Sequence, residues 1–442
     1  MHQTIRLRPI AIAMLMALLV SCESHTSSPE IIEPIVLIKP ITPAMCENTR
    51  LDSQLNDTTL ELIRATDKSP RPAKSFNVFT RLNIENKGVF ISYMLHVQNP
   101  RNVQAKGLMV LFPDGDGDLE LSSDGGGFII EASQKFLARS SVLFTQHEFN
   151  VLTINQPSDA ATYLDDNGDN DYDAYRTSMR HSIDISTILK KVNTSQLPVI
   201  FVGLGRGAIS AMANGHLAAA NVLINPTTSV SEAAIGEDNP LLFLKPSLSI
   251  TPTYIAWHAD GQCQSSLPED SQLLQNQFLQ ASKTIDAFAF TGGFEQPDSA
   301  ACEPLSLHGF LGIESCAVNK IADWAHTIIN DLNTMTNTPP VAKPVNRLAE
   351  DNVSYPMLFL LRNAASDADD DALVFSVPQQ TTNLGGNVSV SSDGLVSYTP
   401  AEQLLDGSDS FVYLVTDSEG AMDYAIATIE VQQKIQVQAI LK

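Results

Sequence analysis

From about Phe76 onward, short apolar runs alternate with longer mixed stretches. VFISYMLHV, GLMVLFP, FNVLTINQP, PVIFVGLG, ANVLINP, TPTYIAWHA and DAFAFTGG are each followed by turn residues, and stretches of helical length such as IEASQKFLARSSVLFTQHE and YDAYRTSMRHSIDISTILKKV separate several of them. Strands alternating with helices predict a mainly parallel sheet covered on both faces. The pattern stops at the proline-rich TNTPPVAKPV. Beyond Asn337 the runs ALVFSV, NVSVSSDGLVSYTP, DSFVYLVTD and AIATIEVQ alternate with period two, and Ser392-Asp393-Gly394 reads as a hairpin turn, which predicts an all-β sandwich. The predicted boundaries are residues 76–335 for the α/β region and 336–442 for the sandwich. Residues 23–75 have little periodicity and read as a tether with a short ordered lead-in.

The first 22 residues carry Arg6 and Arg8 ahead of IAIAMLMALLV, a run too short to span a bilayer comfortably, and so read as an export signal. Leu19-Val20-Ser21-Cys22 resembles the lipobox of bacterial lipoproteins. The resemblance implies that Cys22 is lipidated and becomes the first mature residue, and that Glu23 directs the protein to the outer membrane or cell surface. Acyl chains are then the expected anchor. The balance of 27 basic and 50 acidic residues, a net charge of -23, argues against nucleic acid or an anionic lipid surface as partner. Four further cysteines, Cys46, Cys263, Cys302 and Cys316, allow two disulfides in three connectivities in an oxidising compartment. Their spacing offers no CxxC pair for zinc.

The candidate chemistry centres on Gly203-Leu204-Gly205-Arg206-Gly207-Ala208, a tight turn between a predicted strand and a predicted helix. It also fits a dinucleotide-binding turn, but the next strand, NVLINP, ends in Asn225 and Pro226 and lacks the acidic residue that holds a ribose. The better fit is a nucleophile elbow, whose partners should follow in the order acid, then histidine. Asp260 in HADGQC and His308 in SLHGFLGIE meet that order.

Together with VLFPDGDG, FLARSSVLF, INQPSD, YRTSMRHSIDI and CEPLSLHGFLGIE, these segments make residues 76–330 resemble bacterial exported α/β-hydrolases. The resemblance implies a triad in which Asp260 orients His308 as general base. It also implies an oxyanion hole from the backbone N–H of the Asp114-Gly115 loop and that of Arg206, and a bridge between Cys263 and Cys302. This chain departs from the family at two places. Gly205 stands where the family elbow has serine, and Asp114 stands where the resembling enzymes have glycine, adding a negative charge against a developing oxyanion. Ser210, Ser158 or a water activated by His308 are the alternatives to the missing serine. His258 and Trp257 read as residues packed at the end of their strand, and His181 and His216 as ordinary helix residues.

Of three acidic stretches, the loop Pro113–Asp118 lacks the register of a helix-loop-helix calcium site, and Asp165–Asp171 reads as a solvated loop. In the third, TPPVA, AEDN, SDADDDALVFSV, GNVSVSSDGLVSYTP and DSFVYLVTDSEGAMDYAIATIEV resemble the cadherin-like or immunoglobulin-like modules of bacterial surface proteins. That resemblance implies calcium at Asp367, Asp369, Asp371 and Asp417, with a metal-free spacer as the alternative. The expectation is a lipid-anchored surface protein whose hydrolase-like domain binds an envelope protein or a small ester-like ligand. The alternatives are an esterase or acyl hydrolase with a substitute nucleophile, and an adhesion or scaffold protein acting through its C-terminal module.

Overall fold

The computed structural model describes residues 43–46, 74–82, 88–97, 104–119, 121–123, 128–130, 134–163, 172–228, 251–281 and 283–433. The export signal, Cys22, most of the expected tether and the acidic run Asp165–Asp171 lie outside them. The described residues all fall within one compact unit of the chain.

A nine-stranded sheet forms its centre. In chain order the strands are β1 (Ala44–Met45), β2 (Lys74–Leu82), β3 (Gly88–His96), β4 (Gly107–Phe112), β7 (Phe149–Pro157), β8 (Val199–Leu204), β9 (Ala220–Ile224), β10 (Thr253–His258) and β11 (Ile285–Thr291). A separate hairpin of β5 (Leu121–Ser123) and β6 (Phe128–Ile130) lies between β4 and β7. The spatial order is β1-β11-β10-β9-β8-β4-β7-β3-β2. Only β3 runs against its neighbours β2 and β7; every other adjacent pair is parallel. After β1, which lies at the edge beside β11, the chain takes up the opposite edge at β2, fills in through β3, β4 and β7, and then proceeds strand by strand from β8 back to β11. This is the α/β-hydrolase fold.

Side chains along β4 alternate between the two faces. Leu108, Val110 and Phe112 pack with α3 (Met179–Val192), α4 (Gly207–Ala213) and α5 (Pro268–Gln280). Met109 and Leu111 pack with α1 (Phe136–Thr145) and α6 (Glu314–Thr334). Both faces are buried, which is why β4, β8 and β9 read as unbroken apolar runs.

The C-terminal region folds as sheets β13-β20-β19-β16 and β14-β18-β17, with a short pair β12-β15. Their ranges are β12 Val341–Ala342, β13 Val345–Glu350, β14 Tyr355–Leu360, β15 Ala365–Ser366, β16 Val374–Ser376, β17 Asn387–Val390, β18 Leu395–Thr399, β19 Gly407–Thr416 and β20 Met422–Gln432. The sandwich shares one apolar cluster with the α3 face of the hydrolase-like region, Met179, Ile185 and Leu189 lying in the same core as Val412, Leu414 and Ala425. The Val412 N–H points at Met179 Sδ (3.2 Å), and Arg180 donates to the side chain and carbonyl of Asn383.

Two disulfides close the framework, Cys46–Cys316 and Cys263–Cys302. The second is the pair that the family resemblance implied. The first draws β1, a two-residue strand with no legible periodicity, onto the sheet edge beside β11, so part of the expected tether is built into the fold. It spans a sequence separation of 270 residues. Replacing Cys46 and Cys316 by serine should therefore lower unfolding stability by about 2–5 kcal/mol, read from denaturant midpoints against the oxidised parent.

Candidate active site

The turn after β8 is as tight as an elbow requires. A Cβ on Gly203 would lie 2.3 Å from the Gly207 carbonyl oxygen, and one on Gly207 would lie 2.0 Å from that of Phe112, so helix α4 starts in direct contact with the strand ends. Gly205, at the apex, has φ 54°, in the left-handed region. Its N–H donates to the Ile224 carbonyl (2.9 Å), and its own carbonyl accepts from the Thr227 N–H (3.1 Å).

Asp114 reaches into the space above this glycine from the loop after β4. Its Oδ1 accepts the backbone N–H of Arg206 at 2.8 Å and that of Gly115 at 2.7 Å. Its Oδ2 lies 2.8 Å from His308 Nε2. A Cβ on residue 205 would sit 2.0 Å from Asp114 Oδ1. The two N–H groups expected to form the oxyanion hole do converge, and the oxygen they hold belongs to Asp114. Burial pushes the Asp114 carboxyl upward, but the hydrogen bond from His308 and the N–H groups of Arg206 and Gly115 outweigh it and hold the pKa at about 2.

Supporting contacts fix this loop. Arg176, buried, donates to the Gly115 carbonyl (2.9 Å) and to Ser210 Oγ (2.9 Å), and pairs with buried Asp173, which also holds the Arg206 guanidinium. The Lys135 ammonium donates to the carbonyls of Asp114 and Asp118 and pairs with Asp116, so a side-chain cation fills this acidic loop. Ser210 therefore faces Arg176, and Ser158 Oγ accepts the Phe90 N–H at 2.9 Å. Neither is bonded to His308. The C-terminal side is equally pinned: Asn225 Nδ2 donates to the His308 carbonyl (2.7 Å), and Arg139 donates to the Gly309 carbonyl.

One expectation needs correction. Asp260 is exposed, and its backbone N–H donates to His258 Nδ1 (3.2 Å). The partner of His308 Nδ1 is instead Ser266 Oγ, at 2.9 Å. The Cys263–Cys302 bridge ties the Ser266 loop to the segment leading into His308. Ser266, Asn225, Arg176 and Asp173 were all missed from sequence: Ser266 and Asn225 act through loop contacts that no spacing encodes, whereas Asp173 and Arg176 lie on the short helix α2 (Tyr172–Arg176), where their i,i+3 spacing was the available signal. His258 is buried and donates from Nε2 to the Gly292 carbonyl; burial lowers its pKa. Trp257 is buried as expected; His181, on α3, and His216, on a 3-10 turn, are also buried, and burial pushes the His216 pKa down to about 4.

In the sandwich, carboxylate oxygens of Asp367, Asp371 and Asp417 lie within 4.8 Å of one another. Asp369 does not join them. Its Oδ2 accepts the Thr338 N–H (2.7 Å), which corrects the expected set of four.

The model of the bacterial cadherin-like domain matches residues 337–433, and this segment is such a domain. Among solved structures, the chain is similar to a sugar hydrolase from Lactococcus lactis, with 14% identity over 58% of this chain and 100% of that one and a TM-score of 0.39. It is also similar to a carboxylesterase from Lactobacillus plantarum, with 15% identity, 57% and 97% covered, and a TM-score of 0.38. A third is brefeldin A esterase, a bacterial homologue of human hormone-sensitive lipase, with 11% identity, 66% and 89% covered, and a TM-score of 0.37. No curated protein matches the chain.

Asp114 gives the site a pH signature. Its folded pKa lies below the ordinary 3.8, so the carboxylate contributes stability in full above that value and loses it as pH falls through about 2. Asp114→Asn should be less stable than the parent at pH 7, and the difference should shrink between pH 4 and pH 2 in denaturant titrations.

Proposed function

We propose that the α/β-hydrolase-fold domain is a binding pseudoenzyme, exported, anchored through a lipid at Cys22 and presented at the cell surface together with its cadherin-like domain. Its partner is an envelope protein or a small ester-like ligand. One observation carries this reading: the Asp114 carboxylate occupies both the space of an elbow side chain and the oxyanion position. An ester carbonyl has no free pair of N–H donors to develop charge against, and Gly205 has no hydroxyl to attack with. Losing one oxyanion donor alone costs about 10²–10³ in turnover.

The test is hydrolysis of chromogenic short- and medium-chain esters by the parent, Gly205→Ser, Asp114→Gly and the double variant. The parent should be inert. Gly205→Ser alone should stay near background, because the new side chain meets the carboxylate, and its strained φ should cost about 1–3 kcal/mol. The double variant should gain turnover that a further His308→Ala removes. Turnover by the parent would overturn the pseudoenzyme reading.

Calcium in the cadherin-like domain is part of the same proposal. Asp367, Asp371 and Asp417 supply the oxygen ligands a hard cation takes, and Asp367 Oδ2 is a buried atom without a hydrogen-bond partner. Asp417 Oδ2 also accepts from Asn337 Nδ2 (2.7 Å), which links the cluster to the segment after α6. Millimolar calcium should raise the melting temperature, a chelator should reverse the rise, and Asp371→Asn should abolish it. An unchanged melting temperature would favour the metal-free spacer.

A further inference from the structure

His308 is bonded at both ring nitrogens, by a carboxylate on one side and a hydroxyl on the other. A carboxylate can only accept, so Asp114 Oδ2 at 2.8 Å fixes the ring hydrogen on Nε2. In the neutral imidazole Nδ1 is then the acceptor, and Ser266 Oγ, 2.9 Å away, donates its hydrogen to it. Acid, imidazole and hydroxyl therefore stand in the order of a serine relay, with the acid and the hydroxyl exchanged across the ring relative to elbow chemistry.

We propose that Ser266 is the reactive hydroxyl of this chain, and that it captures an acyl or phosphonyl group from a small activated electrophile, covalently and without turnover. In the step, Oγ forms a bond to the carbonyl carbon or phosphorus as its O–H bond breaks, and the proton passes to His308 Nδ1. The bond to the leaving group breaks with its electron pair, and the leaving group takes the proton from the imidazole. No oxidant or reductant is needed.

Retention of the group follows from the filled hole. The N–H groups of Gly115 and Arg206 are committed to Asp114 Oδ1, so neither capture nor the later attack of water on the adduct gains their stabilisation. To that extent the inference rests on the pseudoenzyme reading: Asp114 can act as the relay's acid because no elbow side chain displaces it. Ser266 is 4% exposed, and it lies in a loop where Gln262 and Gln264 are exposed and which the Cys263–Cys302 bridge closes against the His308 segment. The other serines weighed as nucleophiles lack this arrangement, Ser210 being held by Arg176 and Ser158 by the Phe90 N–H.

The experiment is incubation of the oxidised protein with diisopropyl fluorophosphate, followed by intact-mass measurement and peptide mapping, with ester turnover measured on the same samples. One adduct per chain should appear, on Ser266. It should be absent from Ser266→Ala and should form about a hundredfold more slowly in His308→Gln. Should the alanine variant fail to fold, Ser266→Cys reads the same relay, its alkylation by iodoacetamide slowing about tenfold or more when His308→Gln is added. An adduct without turnover supports both proposals. No adduct, an adduct elsewhere, or a rate indifferent to His308→Gln overturns the role of Ser266 and leaves the pseudoenzyme reading intact. Turnover by the parent that survives Ser266→Ala overturns both; turnover lost with Ser266 leaves its hydroxyl as the reactive group but overturns capture without turnover together with the pseudoenzyme reading.

Discussion

The site is organised by one carboxylate held where two vacancies meet. Asp114 can lie over the elbow only because residue 205 has no Cβ, and the charge it brings is tolerable there only because two N–H groups and an imidazole receive it. The departures at positions 114 and 205 are therefore one feature. An isolated buried carboxylate would be costly, and an isolated glycine elbow would leave two N–H donors and a histidine nitrogen unsatisfied. Each change removes the penalty the other would incur. The surrounding contacts of Arg176, Lys135 and Arg139 then immobilise the loops that carry the three partners.

Much of this was legible in the residue order. Apolar runs buried on both faces marked the parallel strands, the glycines at 203 and 207 marked a turn in which backbone meets backbone, and the positions of Asp114, Arg206 and His308 after their strands followed from the family pattern. The acid did not. A strand-end aspartate can point into the site or away from it, and residue order does not say which; Asp260 is exposed. Ser266 came to His308 through loop closure across a disulfide, a long-range event with no local signature. Asp369 was placed with Asp367, Asp371 and Asp417 by the cadherin-like resemblance, yet its side chain serves the backbone of Thr338.

The proline-rich segment reads as a boundary between independent domains, and in composition it is one. In the fold, the sandwich and the α3 face share a core, with a backbone N–H of the sandwich directed at Met179 and an arginine of α3 bonded to Asn383. Arg180 also donates to the Tyr163 hydroxyl, whose ring packs against Tyr175. The module is thus continuous with the packing behind the site.

The Cys46–Cys316 bridge gives the molecule a mechanical character that its fold alone would not have. Tension applied upstream of Cys46 and downstream of the cadherin-like domain passes across the bridge into α6, through the proline-rich segment and into the sandwich. Most of the sheet, the elbow and His308 lie on the bypassed arc of the chain. Under load they are shielded by a covalent shunt, so the pocket can keep its shape while the chain around it is taut.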